Sequence, residues 1–258
     1  MSERVAVYTD AIGDSDRVLV FLHGMGAIAD VWAPLRKLIH DKYDISSIAV
    51  DLPGHGESQR LASYSDEGVA RAVANQICND LRPEQKVILV GHSYGGTISV
   101  ELASGRYGLN VHQALCMGIK FHWTDDELQA FSRLASKPTK FFSTREDAMQ
   151  FFLRVNALPP ETEISVERAV KQVGENWALI QDPFVNAIER PNVDYLLSNV
   201  SCPLFLARGS DDLMVPLDGA PNEDFKLDNI SAAGHNCMID APDSTLKWLE
   251  SKIVWFAE

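Results

Sequence analysis

No run of apolar residues in the sequence approaches the ~18 needed to cross a bilayer. The first ten residues, MSERVAVYTD, carry charges and lack an apolar segment, so they are not expected to be a signal peptide. Cysteine is scarce and scattered: Cys78, Cys116, Cys202 and Cys237 form no C-x-x-C pair. They read as reduced thiols of a cytoplasmic protein, not as a disulfide frame or a zinc site. Basic residues are in deficit, 23 Lys and Arg against 36 Asp and Glu, for a net charge of −13. With no basic cluster anywhere, the chain repels phosphate backbones and anionic lipid, and neither nucleic acid nor membrane is an expected partner. A P-loop, a G-x-G-x-x-G turn and an H-E-x-x-H helix are all missing, and acids and histidines lack ligand spacing. No metal and no cofactor is therefore expected. Repeats, low-complexity tracts and flexible linkers are also absent.

What is present begins with residues 86–104, KVILVGHSYGGTISVELAS. Val87 to Val90 form an apolar, β-branched run too short for a helix, which reads as a strand buried on both faces. Gly91, Ser93 and Gly95 then make a G-x-S-x-G element, and apolar residues at helical spacing follow (Ile98, Leu102, Ala103). A strand that turns into a helix within a few residues forces the central serine into strained backbone geometry, and glycines two positions either side leave room for it. The serine hydroxyl is then exposed at the carboxyl end of the sheet.

Taken in order, residues 5–8 read as a short edge strand and 10–16 as a turn-rich connection. Residues 17–22 are a buried strand ending at His23-Gly24-Met25-Gly26, a loop whose glycines let the Met25 amide face a ligand. A helix is expected over 30–40, a strand over 45–50, and a Pro/Gly-built loop over 51–58. Ser65 caps a helix with Val69, Val73, Ile77 and Leu81 on one face. After a strand at 111–119 the strand pattern stops. Residues 120–198 read as an all-helical block: capping boxes at 124–127 and 143–146 open two helices, and a third spans about 166–180. The sheet resumes at 203–207, with a further strand near 225–230 and a terminal helix from Pro242. This alternation predicts an α/β fold with a mostly parallel sheet and helices on both faces. The core comprises residues 1–119 and 199–258, and the inserted block at 120–198 is a helical lid. In such sheets ligands bind at the carboxyl ends of the strands, where every motif above falls.

A serine needs a histidine to take its proton and a carboxylate to orient that histidine. Of seven histidines, His235 alone lies in a loop after the last strand, giving the order Ser, Asp, His. The strand before the lid offers no acid, since Gly118, Ile119 and Lys120 follow it, whereas the later strand offers Asp211 and Asp212. Asp51 reads as a loop-bracing carboxylate, and Cys237 as a core-filling thiol despite its place near His235. The backbone amides of Met25 and Tyr94 complete an oxyanion hole.

Together, His23-Gly24-Met25-Gly26 with Trp32, Asp51-Leu52-Pro53-Gly54-His55-Gly56-Glu57-Ser58, Gly91-His92-Ser93-Tyr94-Gly95-Gly96, Gly209-x-x-Asp212 and Gly234-His235 resemble the α/β-hydrolase superfamily. They are most similar to its compact lidded branch of esterases, C–C bond hydrolases, cofactor-free haloperoxidases and lactonases. The resemblance covers residues 17–110 and 200–258 and leaves the lid unmatched. It implies the α/β-hydrolase fold, Asp212 as the acid, Ser93 and His235 as its partners, and the Met25 and Tyr94 amides as oxyanion donors. One N-terminal strand stands where relatives begin with a hairpin, so the sheet is expected to lack an edge strand.

The reading that follows is a serine hydrolase of a small or medium, partly apolar carboxylic ester, working through an acyl-enzyme and acting alone or as a homodimer on a small-molecule substrate. Trp32, Phe121, Trp123 and Trp177, with Met25 and Tyr94, are the candidates to line its pocket. Two alternatives keep the same fold. One is a C–C bond hydrolase of a ring-fission diketone, which needs Arg145, Arg154 or Arg190 to hold a substrate carboxylate. The other is a receptor that binds a ligand without turnover.

Overall fold

The computed structural model describes residues 6–162 and 164–256. The first half of the chain runs β1 (Thr9–Ile12), β2 (Arg17–Leu22), α1 (Ala33–Lys42), β3 (Ser46–Val50), α2 (Asp66–Asp80), β4 (Lys86–His92), α3 (Tyr94–Leu102) and β5 (Val111–Met117). Next come α4 (Asp125–Ala135), α5 (Arg145–Val155), β6 (Val170–Val173), β7 (Asn176–Leu179) and α6 (Val193–Ser198). The chain closes with β8 (Leu204–Gly209), β9 (Leu227–Ile230), α7 (Cys237–Asp240) and α8 (Pro242–Lys252). Seven strands form one sheet in the order β1-β3-β2-β4-β5-β8-β9. Within this sheet, among the described residues, only β1 is antiparallel to its neighbour.

The apolar runs are strands because each has two faces to bury. Along β2, Leu19 and Phe21 enter one core, while Val18, Val20 and Leu22 enter the other. In β4, Ile88 and Val90 separate from Val87 and Leu89 in the same way. Successive side chains point to opposite faces, so a continuous apolar run is what a doubly covered strand requires. The first core is closed by α1 and α8 through Leu35, Ile39, Leu246 and Leu249; the second is closed by α2 and α3 through Val69, Val73, Ile77, Ile98 and Leu102.

The N-terminal edge differs from the sequence reading. Residue 5 lies outside the described residues, and residues 6–8 lie outside the sheet: their main chain is tied to Gln59, Ser58 and Asp51. The edge strand is β1, in the stretch expected to be a turn. Its Asp10 is held by the buried Arg36 of α1, at 2.6 Å, and the turn falls only at Gly13, whose φ is +81°. A single strand occupies this edge, with no partner hairpin among the described residues.

Residues 120–198 also depart from the all-helical expectation. Thr124 and Glu127 cap α4 reciprocally as read, but α5 is capped one residue later, by Thr144 accepting from Asp147. The third helix is not there. In its place a short 3-10 turn (Glu167–Ala169) leads into the β6–β7 hairpin, closed by two residues between Val173 and Asn176. Gly174 has φ +62°, the left-handed conformation that tight hairpin turns demand and glycine supplies cheaply. Phe142 adds an isolated bridge to Trp177. The block is fused to the sheet at its base, because Phe152, Leu153, Ile164 and Val166 join the same core as Leu19 and Trp32. It is also pinned by charge. The Arg168 guanidinium donates to the buried Asp51 carboxylate at 2.7 Å, pairs with Asp30, and lies 4.1 Å over the Tyr8 ring.

Candidate active site

Ser93 sits between β4 and α3 with φ 51° and ψ −118°, the strained geometry the G-x-S-x-G spacing anticipates. Such a conformation in a non-glycine residue costs roughly 1–3 kcal/mol and persists because its surroundings leave no alternative. Those surroundings are tight. A methyl group at position 91 meets the Gly95 carbonyl oxygen and the Gly96 Cα at 2.6 Å, and one at position 95 collides with the carbonyls of Leu22 and His23. The Ser93 amide donates to Met117 at 2.9 Å, locking the turn onto β5. The Ser93 hydroxyl has no hydrogen-bond partner among the described residues, and neither do the amides of Met25 and Tyr94. All three residues line one cavity of about 1240 Å³ together with His235.

His235 and Asp212 meet as an oriented pair. Asp212 Oδ2 accepts from His235 Nδ1 at 2.9 Å, while Oδ1 accepts from the amides of Met214 (2.8 Å) and Val215 (3.2 Å). Burial pushes this carboxyl up, but the His235 hydrogen bond and the two amides outweigh it and hold the acid below its usual range. Arg208, at the end of β8, braces the loop from beneath by donating to the carbonyls of Asp212 (2.8 Å) and Val215 (2.6 Å). The neighbouring Asp211 takes no part; its amide bonds Ala233. Cys237 is buried and its thiol is pushed up to about 12, chiefly by burial, so it fills core rather than reacting.

Three other histidines build the loops around this pair. His23 places Nδ1 2.7 Å from the Gly24 carbonyl and accepts the Leu52 amide on Nε2 at 3.0 Å. His55 accepts the Gly26 amide on Nε2 at 3.0 Å, which fixes the loop that presents Met25. His92 donates from Nε2 to the main-chain oxygen of His235 at 2.9 Å, and its Nδ1 is buried without a partner. An unpaired buried nitrogen costs about 1–3 kcal/mol. Asp51 is the loop brace the sequence suggested: its carboxylate accepts from the amides of Ala29 (2.7 Å) and Glu57 (3.0 Å) besides Arg168.

Burial lowers the three imidazoles from 6.5, His23 to about 4 and both His55 and His92 to about 3. In the unfolded chain they protonate near 6.5, so between there and about pH 4 the unfolded state binds more protons and stability falls with acid. Asp66 works in the opposite sense, raised to about 6 by burial and by Glu101 and Glu189, so one proton is offset below that pH. Asp30 and Asp240, also raised by burial, add to the offset further down. Each uncompensated proton is worth about 1.4 kcal/mol per pH unit. The urea midpoint is expected to fall between pH 7 and pH 5. A midpoint that holds steady would mean the imidazoles charge within the fold.

The pocket expectations are corrected in part. Trp123 lines the cavity, edge-on to Phe131 with ring centroids 5.3 Å apart, as do Met25 and Tyr94. Trp32 does not: its ring is fully buried against Phe21 of β2, 5.1 Å away. Phe121 is buried in the core beside α2 and α3. Trp177 stays outside because β7 pairs it with Phe142 and Arg145 covers its ring. The wall from the inserted block is built instead by Leu134, Phe151, Val155, Phe184 and Ile188, with Met214 beside Asp212. Of the arginines considered for a substrate carboxylate, Arg190 lines the cavity but is bound to Asp125 at 2.6 Å. Arg145 is bound to Glu167, and Arg154 lies over the Phe151 ring. Sequence reading missed Arg168, Arg208 and the contact of His92. An arginine closing the apolar run of β8 was the one available signal among them, since a charge there needs buried partners.

Comparison with known proteins agrees with this architecture. The sequence is similar over 148 residues to protein phosphatase methylesterase 1 of Bos taurus, at 32% identity, covering 55% of this chain and 38% of that relative's length. A pimeloyl-[acyl-carrier protein] methyl ester esterase of Serratia marcescens is 26% identical over 96% of this chain and 98% of its own. Among solved structures, E-2-(acetamidomethylene)succinate hydrolase superposes with a TM-score of 0.79 at 20% identity, covering 96% and 95% of the two chains, a likeness of fold. The sequence pattern of the alpha/beta hydrolase family matches residues 19–248, nearly the whole described sheet together with its inserted block. The chain belongs to the alpha/beta hydrolase family.

Proposed function

We propose that the chain is a serine esterase that cleaves a partly apolar carboxylic ester through an acyl-enzyme. The observation that carries the reading is the convergence, on one cavity, of a strained serine, an Asp-oriented histidine and two unengaged backbone amides. Ser93 Oγ attacks the ester carbonyl while His235 Nε2 takes its proton; Asp212 holds Nδ1–H and steadies the imidazolium. The tetrahedral oxyanion accepts from the amides of Met25 and Tyr94, each such donor being worth about 10²–10³ in rate. His235 returns the proton to the departing alcohol, and water then cleaves the acyl-serine by the same route.

Residues 120–198 act as the lid over this centre, and Leu134, Phe151, Val155 and Phe184 receive the acyl part. Two relatives named for methyl esters support a small alcohol and a larger acyl group. Hydrolysis of methyl and p-nitrophenyl esters of increasing acyl length tests the reading. Each methylene buried against the lid adds about 0.8 kcal/mol, roughly fourfold in kcat/KM, until the cavity is filled. Acetyl esters are expected to be poor substrates and medium-chain esters good ones. A flat response to chain length would remove the lid from the binding site, and no turnover of any ester would sink the esterase reading.

A further inference from the structure

We infer that His92 is a positioning residue for His235, holding the base by its main chain while Asp212 holds it by its ring. The inference rests on the reading of His235 as the base of the Ser93 reaction. Its ground is the way the two imidazoles are packed. Their centroids lie 4.8 Å apart at 60°, and His92 donates from Nε2 to the His235 carbonyl at 2.9 Å. His92 is 3% exposed, and its ring is wedged between two glycines, one in the loop after β2 and one just past the end of β5. A methyl group at Gly24 meets its Nδ1 at 2.8 Å, and one at Gly118 meets its Cδ2 at 3.3 Å and the His235 ring at 3.2 Å.

This geometry fixes the tautomer. Because Nε2–H is the donor, Nδ1 carries the lone pair, and it finds no partner in the fold. A ring whose second nitrogen is left unsatisfied is kept for the bond its first nitrogen makes, since an apolar side chain of similar size would leave no such orphan. The bond reaches across the molecule, from the residue beside the nucleophile to a loop 143 positions later. The loop's other anchors near the base are the Gly234 amide on Asp240 at 3.0 Å, Asn236 on the carbonyls of Asn156 and Ala157, and the Cys237 thiol. That thiol lies 3.5 Å from the Gly234 carbonyl and 3.9 Å from that of His235, longer than the 2.9 Å His92 bond. With Nδ1 of His235 on Asp212 and its carbonyl on His92, the orientation of the imidazole is set through both its side chain and its main chain.

Two amide variants separate this role from plain packing, because a glutamine amide nitrogen occupies the place of Nε2 and an asparagine amide nitrogen that of Nδ1. In the full chain, His92→Asn is expected to lower kcat by about 10–100-fold with KM little changed, the size of effect seen when a catalytic group is misplaced by about an ångström. Its pH–rate profile is expected to shift, because the base no longer sits at its set distance from Asp212. His92→Gln is expected to recover most of the rate and the wild-type profile. Equal behaviour of the two variants, with an unshifted profile, would overturn the inference. A fluorophosphonate label on Ser93 separates this failure from that of the parent reading. A wild type that takes no label and hydrolyses no ester overturns both, whereas a labelled wild type with an unaffected Asn variant overturns the role of His92 alone.

Discussion

Ser93→Ala is expected to lower kcat on a good ester substrate by about 10⁵–10⁶-fold while leaving the fold intact. Loss of a serine nucleophile costs that much where the three catalytic groups act as a unit, and what remains is the catalysis of the oxyanion amides and binding. In the proposed mechanism those amides are the ones of Met25 and Tyr94, held by His55 on Gly26 and by the start of α3, not by the serine hydroxyl. Binding of a non-hydrolysed ester analogue should therefore survive in the mutant. Stability separates this site from an ordinary surface serine. Alanine at φ 51° keeps the strain, whereas Ser93→Gly relieves it and is expected to raise stability by about 1 kcal/mol, some 2–4 °C in Tm for a chain of this size. A Ser93→Ala enzyme with residual activity above a few per cent would mean that another group attacks the ester.

The second large effect is expected from Asp212→Asn, a loss of about 10⁴ in kcat with little change in KM. The orientation of the new amide is forced. Two backbone donors, Met214 and Val215, face Oδ1 and select an oxygen there, so the amide nitrogen must face His235 Nδ1. His235 can meet an N–H donor only with Nδ1 bare, which places its proton on Nε2, the atom the proposed mechanism needs bare to take the serine proton. The wrong tautomer then blocks the first step. Measuring kcat against pH for Asp212→Asn and Asp212→Ala together checks the argument, since alanine removes the charge without imposing a tautomer and should be the milder change. If Asp212→Asn keeps a tenth of wild-type activity, the acid lies elsewhere. Asp240, whose carboxylate accepts the Gly234 amide beside the base, is then the group to replace.

Much of this was legible in the residues because the motifs encode backbone constraints. Gly91 and Gly95 are required by contacts within a few residues of Ser93, so the turn could be read without the rest of the molecule. The pairing of Asp212 with His235 was legible from their place after strands, though choosing Asp212 over Asp211 needed the family spacing. Its physical counterpart is the Arg208 brace, which reaches the Asp212 carbonyl while Asp211 turns away to Ala233. The pocket was not legible. Large aromatic residues serve cores and cavities equally well, and Trp32 and Phe121 went to cores because strands β2 and β4 present apolar faces next to them. Nor was the hairpin in the inserted block: apolar residues at 166, 170 and 173 suit a helix as well as two short strands, and only the glycine at 174 signals the turn. The second histidine of the site was invisible for another reason, since its contact spans most of the chain.

The position of the inserted block also bears on how the chain folds. β5 and β8 are hydrogen-bonded neighbours, yet residues 118–203 separate them. Closing an unstructured loop of that length costs roughly 4 kcal/mol of chain entropy. The sheet up to β5 closes through shorter connections, so the β5–β8 pairing is the natural late step, and Asp212 and His235 both lie beyond it. Arg168 changes that cost, because docking it on Asp51 and Asp30 divides the long excursion into two shorter ones before β8 arrives. The same ion pair that pins the inserted block in the finished protein thus shortens the search for the last strands, and Ser93 is in place before Asp212 and His235.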